Sequence, residues 1–319
     1  MGKKIGVAVA MAISVVCLVI ALRDFEPNEL LSQLRDVHWG WIASAMLFDI
    51  LVYVLQGWRW SLLLRPVANV PYMRSIRAIY VGLFANEVLP LRTGEIIRCY
   101  LQGRWSNLPF SVTLSSALIE RIFDGIWLVI CLMVATQLAP VDGAYVYGAE
   151  VLAGFVVLGA ILLGAAMFFK TRAHAVFARH KWLSRFSVLL EDLNLIGHSR
   201  YLYLSAVASL PYLLLQVLPI YALSEGYGLG LSLQQVFVVT IILRLAAVVP
   251  AAPGNVGTFQ LAAKTALTMF GVDKGIATNF SVVMWAVITL PLLITGFIAL
   301  AVTGIRLSEI RREAEQQAS

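Results

Sequence analysis

Charged residues are scarce in this chain. Only 13% of its 319 residues are Asp, Glu, Lys or Arg, against roughly 25% in a soluble domain, and 60% are hydrophobic. This composition excludes an ordinary soluble domain. It predicts an all-α, polytopic membrane protein, because a helix satisfies its own backbone hydrogen bonds in lipid. We expect a single integral membrane domain over residues 1–319.

Cysteine and histidine are rare as well. The three cysteines lie in or beside apolar segments without the spacing of metal ligands, and the four histidines fall between the apolar runs. We find no Ser or Cys nucleophile beside a base and no Gly-x-x-x-x-Gly-Lys-Ser/Thr loop. The sequence therefore predicts no disulfide frame, metal site, cofactor or catalytic residue, and no ATP hydrolysis by this chain.

Six apolar runs approach the length of about 20 residues that a membrane-spanning helix needs. They cover residues 5–22, 41–56, 110–138, 145–169, 201–224 and 276–302. Two further regions, 76–104 and 232–270, each contain two shorter apolar stretches that meet at a break containing Pro and Gly. These lengths are typical of re-entrant helical hairpins.

Three other segments suit the membrane surface. Residues 24–39 have the apolar spacing of an interfacial amphipathic helix, although a solvated loop fits equally well. The basic region 172–198 predicts a cytoplasmic amphipathic helix or a linker packed on its neighbours. Trp58, Arg59, Trp60 and Arg65 resemble an aromatic and basic collar at the lipid headgroups, and we favour a membrane anchor without catalytic role.

The distribution of Lys and Arg predicts the orientation. Most of the 24 basic residues fall on one side if the N-terminus is cytoplasmic, whereas the predicted external loops 140–144 and 225–230 carry none. We therefore attribute the net charge of +6 to topology and not to nucleic-acid binding. Both termini are expected in the cytoplasm. The two hairpins then enter from opposite sides, which suggests an inverted repeat with a binding site near the midplane.

The stretch 86–98 is the most unusual part of the chain, because four charges surround a Pro and a Gly in an apolar context. The charges are Glu87, Arg92, Glu95 and Arg98. Such a segment cannot lie against hydrocarbon, so it must line a polar cavity or lie at the membrane surface. Its Pro-x-x-x-Gly frame at 90–94 recurs at 253–257, in the second hairpin.

A second group of charges lies inside the third span. Glu120 and Asp124 share one helical face, and Arg121 is three residues before Asp124, so the group can be nearly neutral by itself. One interpretation is a structural clamp to a hairpin. The other is that Arg121 faces the cavity and binds an anionic headgroup, with the two carboxylates holding its guanidinium in place.

The remaining intramembrane polar residues suggest an anion site. Arg244 has no acidic residue nearby in the sequence, which makes it the stronger candidate, whereas Lys264 could snorkel. The helices beginning near Gly94 and Gly257 are expected to present free backbone N–H groups at the cavity. Neutral donors come from two further residues, Asn255 and Gln260.

Two carboxylates, Asp49 and Glu87, lie within apolar segments of the first half. Either could be protonated or could pair with an intramembrane Arg, and we favour pairing. Protons could also be carried by Glu95, but the sequence does not separate proton coupling from passive movement of lipid.

Four motifs resemble those of the flippase-like family of the lysylphosphatidylglycerol synthase transmembrane domain. They are Trp-Arg-Trp at 58–60, Asn-x-x-Leu-Pro-x-Arg-x-Gly-Glu-x-x-Arg at 86–98, Glu-Arg-x-x-Asp at 120–124 and Pro-Gly-Asn-Val-Gly-x-x-Gln at 253–260. The resemblance implies movement of a lipid from the inner to the outer leaflet, a prokaryotic inner membrane, and a stand-alone member without the synthase domain. The substrate-binding residues we predict are Asn86, Glu87, Arg92, Glu95, Arg98, Glu120, Arg121, Asp124, Arg244, Asn255 and Gln260.

Three classes of function remain open at this point. The leading hypothesis is a flippase for an anionic or phosphate-bearing lipid, with the headgroup between the two hairpins. An intramembrane transferase that uses Glu87, Glu95 or Glu120 as base is a second hypothesis. The third is a non-transporting membrane partner of a separate synthase or glycosyltransferase.

Overall fold

The computed structural model describes residues 2–89, 93–138, 147, 154, 199–247, 252–304 and 307–318. Within these ranges every regular element is a helix, which confirms the predicted all-α class. The helices, numbered here in chain order, are α1 Gly2–Ala21, α2 Pro27–Asp36, α3 Trp39–Leu64, α4 Tyr72–Val88, α5 Gly94–Ser106, α6 Phe110–Leu138, α7 Arg200–Leu215, α8 Val217–Gly226, α9 Leu233–Ala246, α10 Thr258–Thr268, α11 Lys274–Thr303 and α12 Leu307–Ala318.

The long helices follow the predicted spans. Three described segments are long and apolar enough to cross a membrane by themselves: α3, the continuous α7 and α8, and α11. The helices α1 and α6 also cover predicted spans. The predicted span 145–169 and the predicted surface helix 172–198 lie outside the described residues. Together with the family match reported below, these helices make the chain a multi-pass membrane protein.

The two broken hairpins occur where the sequence predicts them. The first consists of α4 and α5, which pack closely side by side. The second consists of α9 and α10, separated in part by the short 3-10 turn Pro253–Asn255. Both hairpins are built from helices of 11 to 17 residues, so none of the four matches the length of a normal span.

Glycine permits the tightest contact in the first hairpin. A Cβ atom on Gly94 would lie 1.8 Å from the carbonyl oxygen of Gly82, so only Gly lets α5 begin directly against α4. Next to this contact, the Gly94 N–H donates to Asn86 Oδ1 at 2.9 Å. The first hairpin is therefore fixed by a close backbone approach and a side-chain cap.

Two buried apolar clusters occupy different parts of the molecule, and α3 runs through both. One cluster gathers the second half of α3 with α4, α5, the start of α6 and the buried Ile310 and Ala314 of α12. The other gathers the first half of α3 with α8 to α11. Each hairpin is thus packed into its own core, and the polar cavity described below is lined by residues of both hairpins together with α3, α6, α7 and α11.

The segment after α1 forms the helix α2 and not a solvated loop. The side chain of Leu31 on α2 is 62% exposed, as an interfacial helix requires. A short 3-10 turn, Leu22–Asp24, precedes α2 and contacts α10: Lys264 Nζ lies 2.6 Å from Asp24 Oδ2 and 3.0 Å from the Ala21 carbonyl oxygen. Lys264 therefore joins α10 to the end of α1 and does not snorkel freely.

Candidate functional site

Six charged side chains from α3, α5 and α6 form a closed ring in which positive and negative groups alternate. The three guanidinium and three carboxylate groups balance one another in number. In order around the ring, its members are Asp124, Arg59, Glu120, Arg98, Glu95 and Arg121.

Glu120 is the centre of the ring. Its Oε1 lies 2.8 Å from Arg59 Nη2 and its Oε2 lies 2.7 Å from Arg98 Nη1, so each carboxylate oxygen pairs with a different helix. Arg98 also donates from Nε to Glu95 Oε2 at 2.8 Å. These are charge-assisted hydrogen bonds, which are about twice as strong as bonds between neutral groups.

The other side of the ring is more open. Arg121 pairs with Glu95, and its Nη1 lies 3.9 Å from Asp124 Oδ2. The side chain of Arg121 is 48% exposed and that of Glu95 33%, whereas Arg59 and Glu120 are completely buried. The ring therefore has a buried half and a half that faces an open space.

Aromatic rings cover the buried guanidinium groups. The Arg59 Cζ atom lies 4.5 Å from the ring centroid of Tyr212 on α7, and the Arg98 Cζ atom lies 4.7 Å from that of Trp60. Arg59 also donates to Ser209 on α7. Cation–π contacts strengthen when both partners are desolvated, so α7 is tied to the ring in addition to α3, α5 and α6.

A polar cavity of about 480 Å³ borders the open half of the ring. It reaches from α5 and α6 to the second hairpin. The sequence-predicted residues in its lining are Asn86, Glu87, Glu95, Arg121, Asp124, Arg244 and Asn255. A cavity with convergent polar groups in an otherwise apolar helical protein is the expected form of a ligand site.

A smaller inner chamber of about 150 Å³ shares Glu87, Arg244 and Asn255 with the main cavity. It is defined here by these residues together with Asp49 on α3. Asp49 is 5% exposed, and its Oδ2 has no hydrogen-bond partner among the described residues. In the same part of the structure Arg244, on the last turn of α9, has no ion pair within 4 Å among the described residues.

Three of the described site residues that we predicted do not line the cavity. Arg98 and Glu120 are buried within the ring behind Glu95 and Arg121. Gln260 is buried and accepts the Gly257 N–H at 2.6 Å, so it caps α10. Arg92 lies outside the described residues.

The partners of Arg121 differ from those expected. In one of the two interpretations of this group, Glu120 and Asp124 hold its guanidinium, but Glu120 pairs with Arg59 and Arg98. Consecutive residues on an α-helix point about 100° apart, so Glu120 and Arg121 face different neighbours. Glu95 of α5 takes the place of Glu120. The sequence predicted a near-neutral group of charges on one helix, whereas the structure has a neutral ring of charges from three helices.

The expected headgroup collar is wrong for Arg59 and Trp60, which are completely buried. The helix α3 extends to Leu64, beyond the predicted end at residue 56, and carries both side chains into the core. Trp60 donates from Nε1 to Ser116 Oγ at 2.9 Å. Of the pair of tryptophans only Trp58 is exposed, at 38%. Arg59 is thus the ring member that sequence reasoning missed.

The expected free N–H groups at the two helix starts are also partly wrong. The Gly94 N–H is occupied by Asn86, and the Gly257 N–H by Gln260. Gly257 has a φ of 91°, and a Cβ there would lie 2.1 Å from the Ser14 carbonyl oxygen on α1. Each of these glycines therefore serves close packing, and its N–H is already used.

The structure adds polar residues to the cavity that the sequence analysis did not select. They include Tyr53 and Gln56 on α3 and Tyr212 and Gln216 near the junction of α7 and α8. A signal was available for the first pair: Asp49, Tyr53 and Gln56 have the spacing of one helical face in an apolar span. Within the described parts of the chain, no group of three or more His, Cys, Asp or Glu could hold a metal ion.

Comparison with known families decides where the chain belongs. Residues 7–296 match the family described as the lysylphosphatidylglycerol synthase TM region. The chain is a member of this family. The match covers both hairpins, the ring and the inner chamber, so the predicted family resemblance is confirmed.

Two of the similar proteins are named as membrane proteins. A UPF0104 membrane protein of Methanothermobacter thermautotrophicus is 23% identical over 293 residues, 85% of this chain and 86% of that protein. The UPF0104 membrane protein MJ1595 of Methanocaldococcus jannaschii is 23% identical over 100 residues, 30% of each chain.

A third relative carries an enzyme's name. The glycosyltransferase AglD of Haloferax volcanii is 24% identical over 123 residues, 38% of this chain but only 20% of AglD. No solved structure matches the chain.

Proposed function

We propose that this protein moves a lipid with an anionic headgroup between the two leaflets. The headgroup occupies the cavity between the two hairpins, and the acyl or prenyl tails stay in the bilayer. The observation that carries this proposal is the polar cavity of about 480 Å³, which has Arg121 on one side and Arg244 on the other. The volume falls in the range of about 300–1,000 Å³ typical of small-molecule sites.

The two cavity arginines have different settings. Arg121 is held by Glu95 and Asp124, so its guanidinium is positioned but partly neutralised. Arg244 has no such ion pair and supplies the stronger attraction for a phosphate. Arg59 and Arg98 are buried and paired with carboxylates of the ring, and we do not assign them to the ligand.

The membrane orientation belongs to the same proposal. The concentration of Lys and Arg in segments on one side places both termini in the cytoplasm of a prokaryotic cell and the protein in its inner membrane. The headgroup then enters from the cytoplasmic leaflet. Single-cysteine labelling at the termini and in the loop before α9 tests this arrangement.

Headgroup translocation in proteoliposomes tests the transport proposal. Fluorescent phospholipids and polyprenyl phosphates are offered to the native protein and to the variants Arg121→Ala and Arg244→Ala. Loss of one charge-assisted contact to phosphate is expected to slow transport about tenfold or more. Arg200→Ala is the matched control, because Arg200 is exposed at the start of α7 and remote from the cavity lining.

Three outcomes decide the proposal. One lipid class transported by the native protein and by Arg200→Ala, but not by the cavity variants, supports it. Transport that survives both cavity substitutions contradicts the anion site. No transport of any lipid contradicts the flippase function.

A second candidate is a membrane partner of a separate glycosyltransferase or synthase. The similarity to part of AglD favours it, because there the related region belongs to a protein named as a glycosyltransferase. Co-purification of such an enzyme with the native protein, together with no lipid translocation, would support this role. Product formation by the purified chain alone from a lipid-linked donor would instead indicate an intramembrane transferase.

A further inference from the structure

The inner chamber contains a carboxylate that differs from the other buried acids. Asp49 on α3 is 5% exposed, yet its Oδ2 has no hydrogen-bond partner among the described residues. Glu120, equally buried, is held by Arg59 and Arg98. Burial strongly disfavours a charged carboxylate that is not paired. Asp49 is therefore the buried acid whose charge the protein does least to stabilise.

The groups that face Asp49 come from several helices. Arg244 on α9 attracts its negative charge, and Glu87 on α4 repels it. Tyr53 from α3 and Tyr80 from α4 also face it, and the chamber is further lined by Pro219 and Ile220 from α8 and by Trp285 and Thr289 from α11. Tyr80 is already occupied, since its hydroxyl donates to the Ile50 carbonyl oxygen at 2.9 Å.

The charges in this chamber conflict with anion binding. Two carboxylates and one guanidinium line it, so an anion that pairs with Arg244 adds a further negative charge beside Asp49 and Glu87. The same anion takes the positive charge that favours ionised Asp49. A proton on Asp49 removes one of the two negative charges and the cost of its burial together.

We propose that Asp49 binds a proton whenever an anionic headgroup pairs with Arg244, so that each anion enters the chamber together with one proton. The proton comes from cavity water and is held by a carboxylate oxygen of Asp49. This inference rests on the proposed function, because it takes the headgroup to be the ligand of Arg244. By thermodynamic linkage, a proton on Asp49 increases the affinity for the anion by the same factor by which the bound anion increases the affinity of Asp49 for the proton. A lower pH is therefore expected to tighten anion binding.

Calorimetry on the purified protein tests the coupling without transport. The probe is short-chain phosphatidylglycerol, whose phosphodiester keeps one negative charge between about pH 5 and 8. Titrations in two buffers with different ionisation enthalpies give the number of protons taken up per anion bound. We expect an uptake approaching about one proton and an affinity that falls up to about tenfold per pH unit on raising the pH.

Asp49→Asn separates the proton site from the anion site. Asn has nearly the same shape and stays neutral, so this variant is expected to bind the probe at high pH as the native protein does at low pH, with no Asp49-dependent proton uptake. Asp36→Asn on the exposed face of α2 is the matched control and is expected to keep native proton uptake. Size-exclusion profiles check that each variant is folded.

Several results would overturn the inference. They are binding by the native protein without proton uptake, uptake that persists in Asp49→Asn, binding that requires sodium in place of protons, and no binding of the probe. Translocation assays with an imposed pH gradient then separate the two proposals. A transport rate that changes neither with the pH gradient nor in Asp49→Asn contradicts proton coupling alone. No transport of any lipid contradicts the proposed function itself.

Discussion

The ring of α3, α5 and α6 and the inner chamber of α3, α4 and α9 border the same cavity, but their charges are matched in different ways. In the ring, three cations meet three anions, and its completely buried members Arg59 and Glu120 pair with each other. In the chamber, Asp49 and Arg244 have no ion pair among the described residues. Burial alone therefore does not identify a charged residue as functional. A buried charged residue without an ion-pair partner is the stronger candidate.

The largest effect on stability is expected when Arg59 is removed from the ring. Arg59→Ala leaves Glu120 buried with one partner and Asp124 with a weak one, so we expect a loss of about 3–5 kcal/mol in unfolding free energy. Arg244→Ala removes no ion pair and is expected to change stability by less than about 1 kcal/mol. Thermal unfolding of both variants in detergent measures the difference.

A double variant sharpens the same test. Arg59→Met with Glu120→Gln removes one positive and one negative charge, so the rest of the ring stays balanced. We expect it to be more stable than Arg59→Ala by about 1–2 kcal/mol. Equal stability of Arg59→Ala and the native protein would show that the ring is not a structural element.

A smaller effect is expected from Gly94→Ala, which acts on the ring indirectly. The new Cβ would lie 1.8 Å from the Gly82 carbonyl oxygen, so α5 must move away from α4 and carry Glu95 and Arg98 with it. We expect a loss of about 1–3 kcal/mol. Gly40→Ala is the control, since a Cβ there meets nothing within 4 Å. A native unfolding temperature for Gly94→Ala would contradict the close helix contact.

The smallest effect is expected at an ion pair outside both regions. The hydrogen bond and charge of Lys264 lower the pKa of Asp24 below its ordinary value of 3.8. The ionised pair therefore contributes stability above that ordinary value, and the contribution is lost as the pH falls through the lowered pKa. The side chain of Asp24 is 46% exposed, so solvent screens the pair.

Asp24→Asn tests this pair. We expect the variant to unfold at a slightly lower temperature than the native protein at pH 7 and at the same temperature in strong acid. The measurement is the difference between the two unfolding temperatures across the acid range. A difference that stays constant with pH would show that the Asp24 charge does not act on stability.

The sequence predicted where the long helices and the two hairpins lie along the chain. Run lengths and the Pro and Gly breaks predicted the long helices and both hairpins, because a helix has to match the membrane thickness and a break ends it. The end of α3 was the exception. An aromatic and basic cluster after an apolar run is typical of a headgroup anchor, and only the partners Glu120 and Asp124 make a buried Arg59 stable.

The pairing of charges could not be predicted in the same way. Glu120 accepts hydrogen bonds from Arg59, which is 61 positions away in the sequence, and from Arg98, which is 22 positions away, and these lie on two other helices. These pairings depend on how α3, α5 and α6 cross in space. The periodicity of residues along one helix does not predict that crossing. The favoured pairing of Asp49 with an Arg was wrong for the same reason: Arg244 lines the same chamber but stops short of ion-pair distance.

The ring also limits how this protein can move. Its ion pairs join α3, α5 and α6, and the contact between Arg59 and Tyr212 adds α7, so we expect these four helices to move together. A site that opens first to one leaflet and then to the other needs a wall that shifts against a fixed one. Under the proposed transport function, the fixed wall is the one that carries Arg121, and the second hairpin is the wall expected to shift. Such a shift would change the distance between Arg244 on α9 and Asp49 on α3, which line the same chamber.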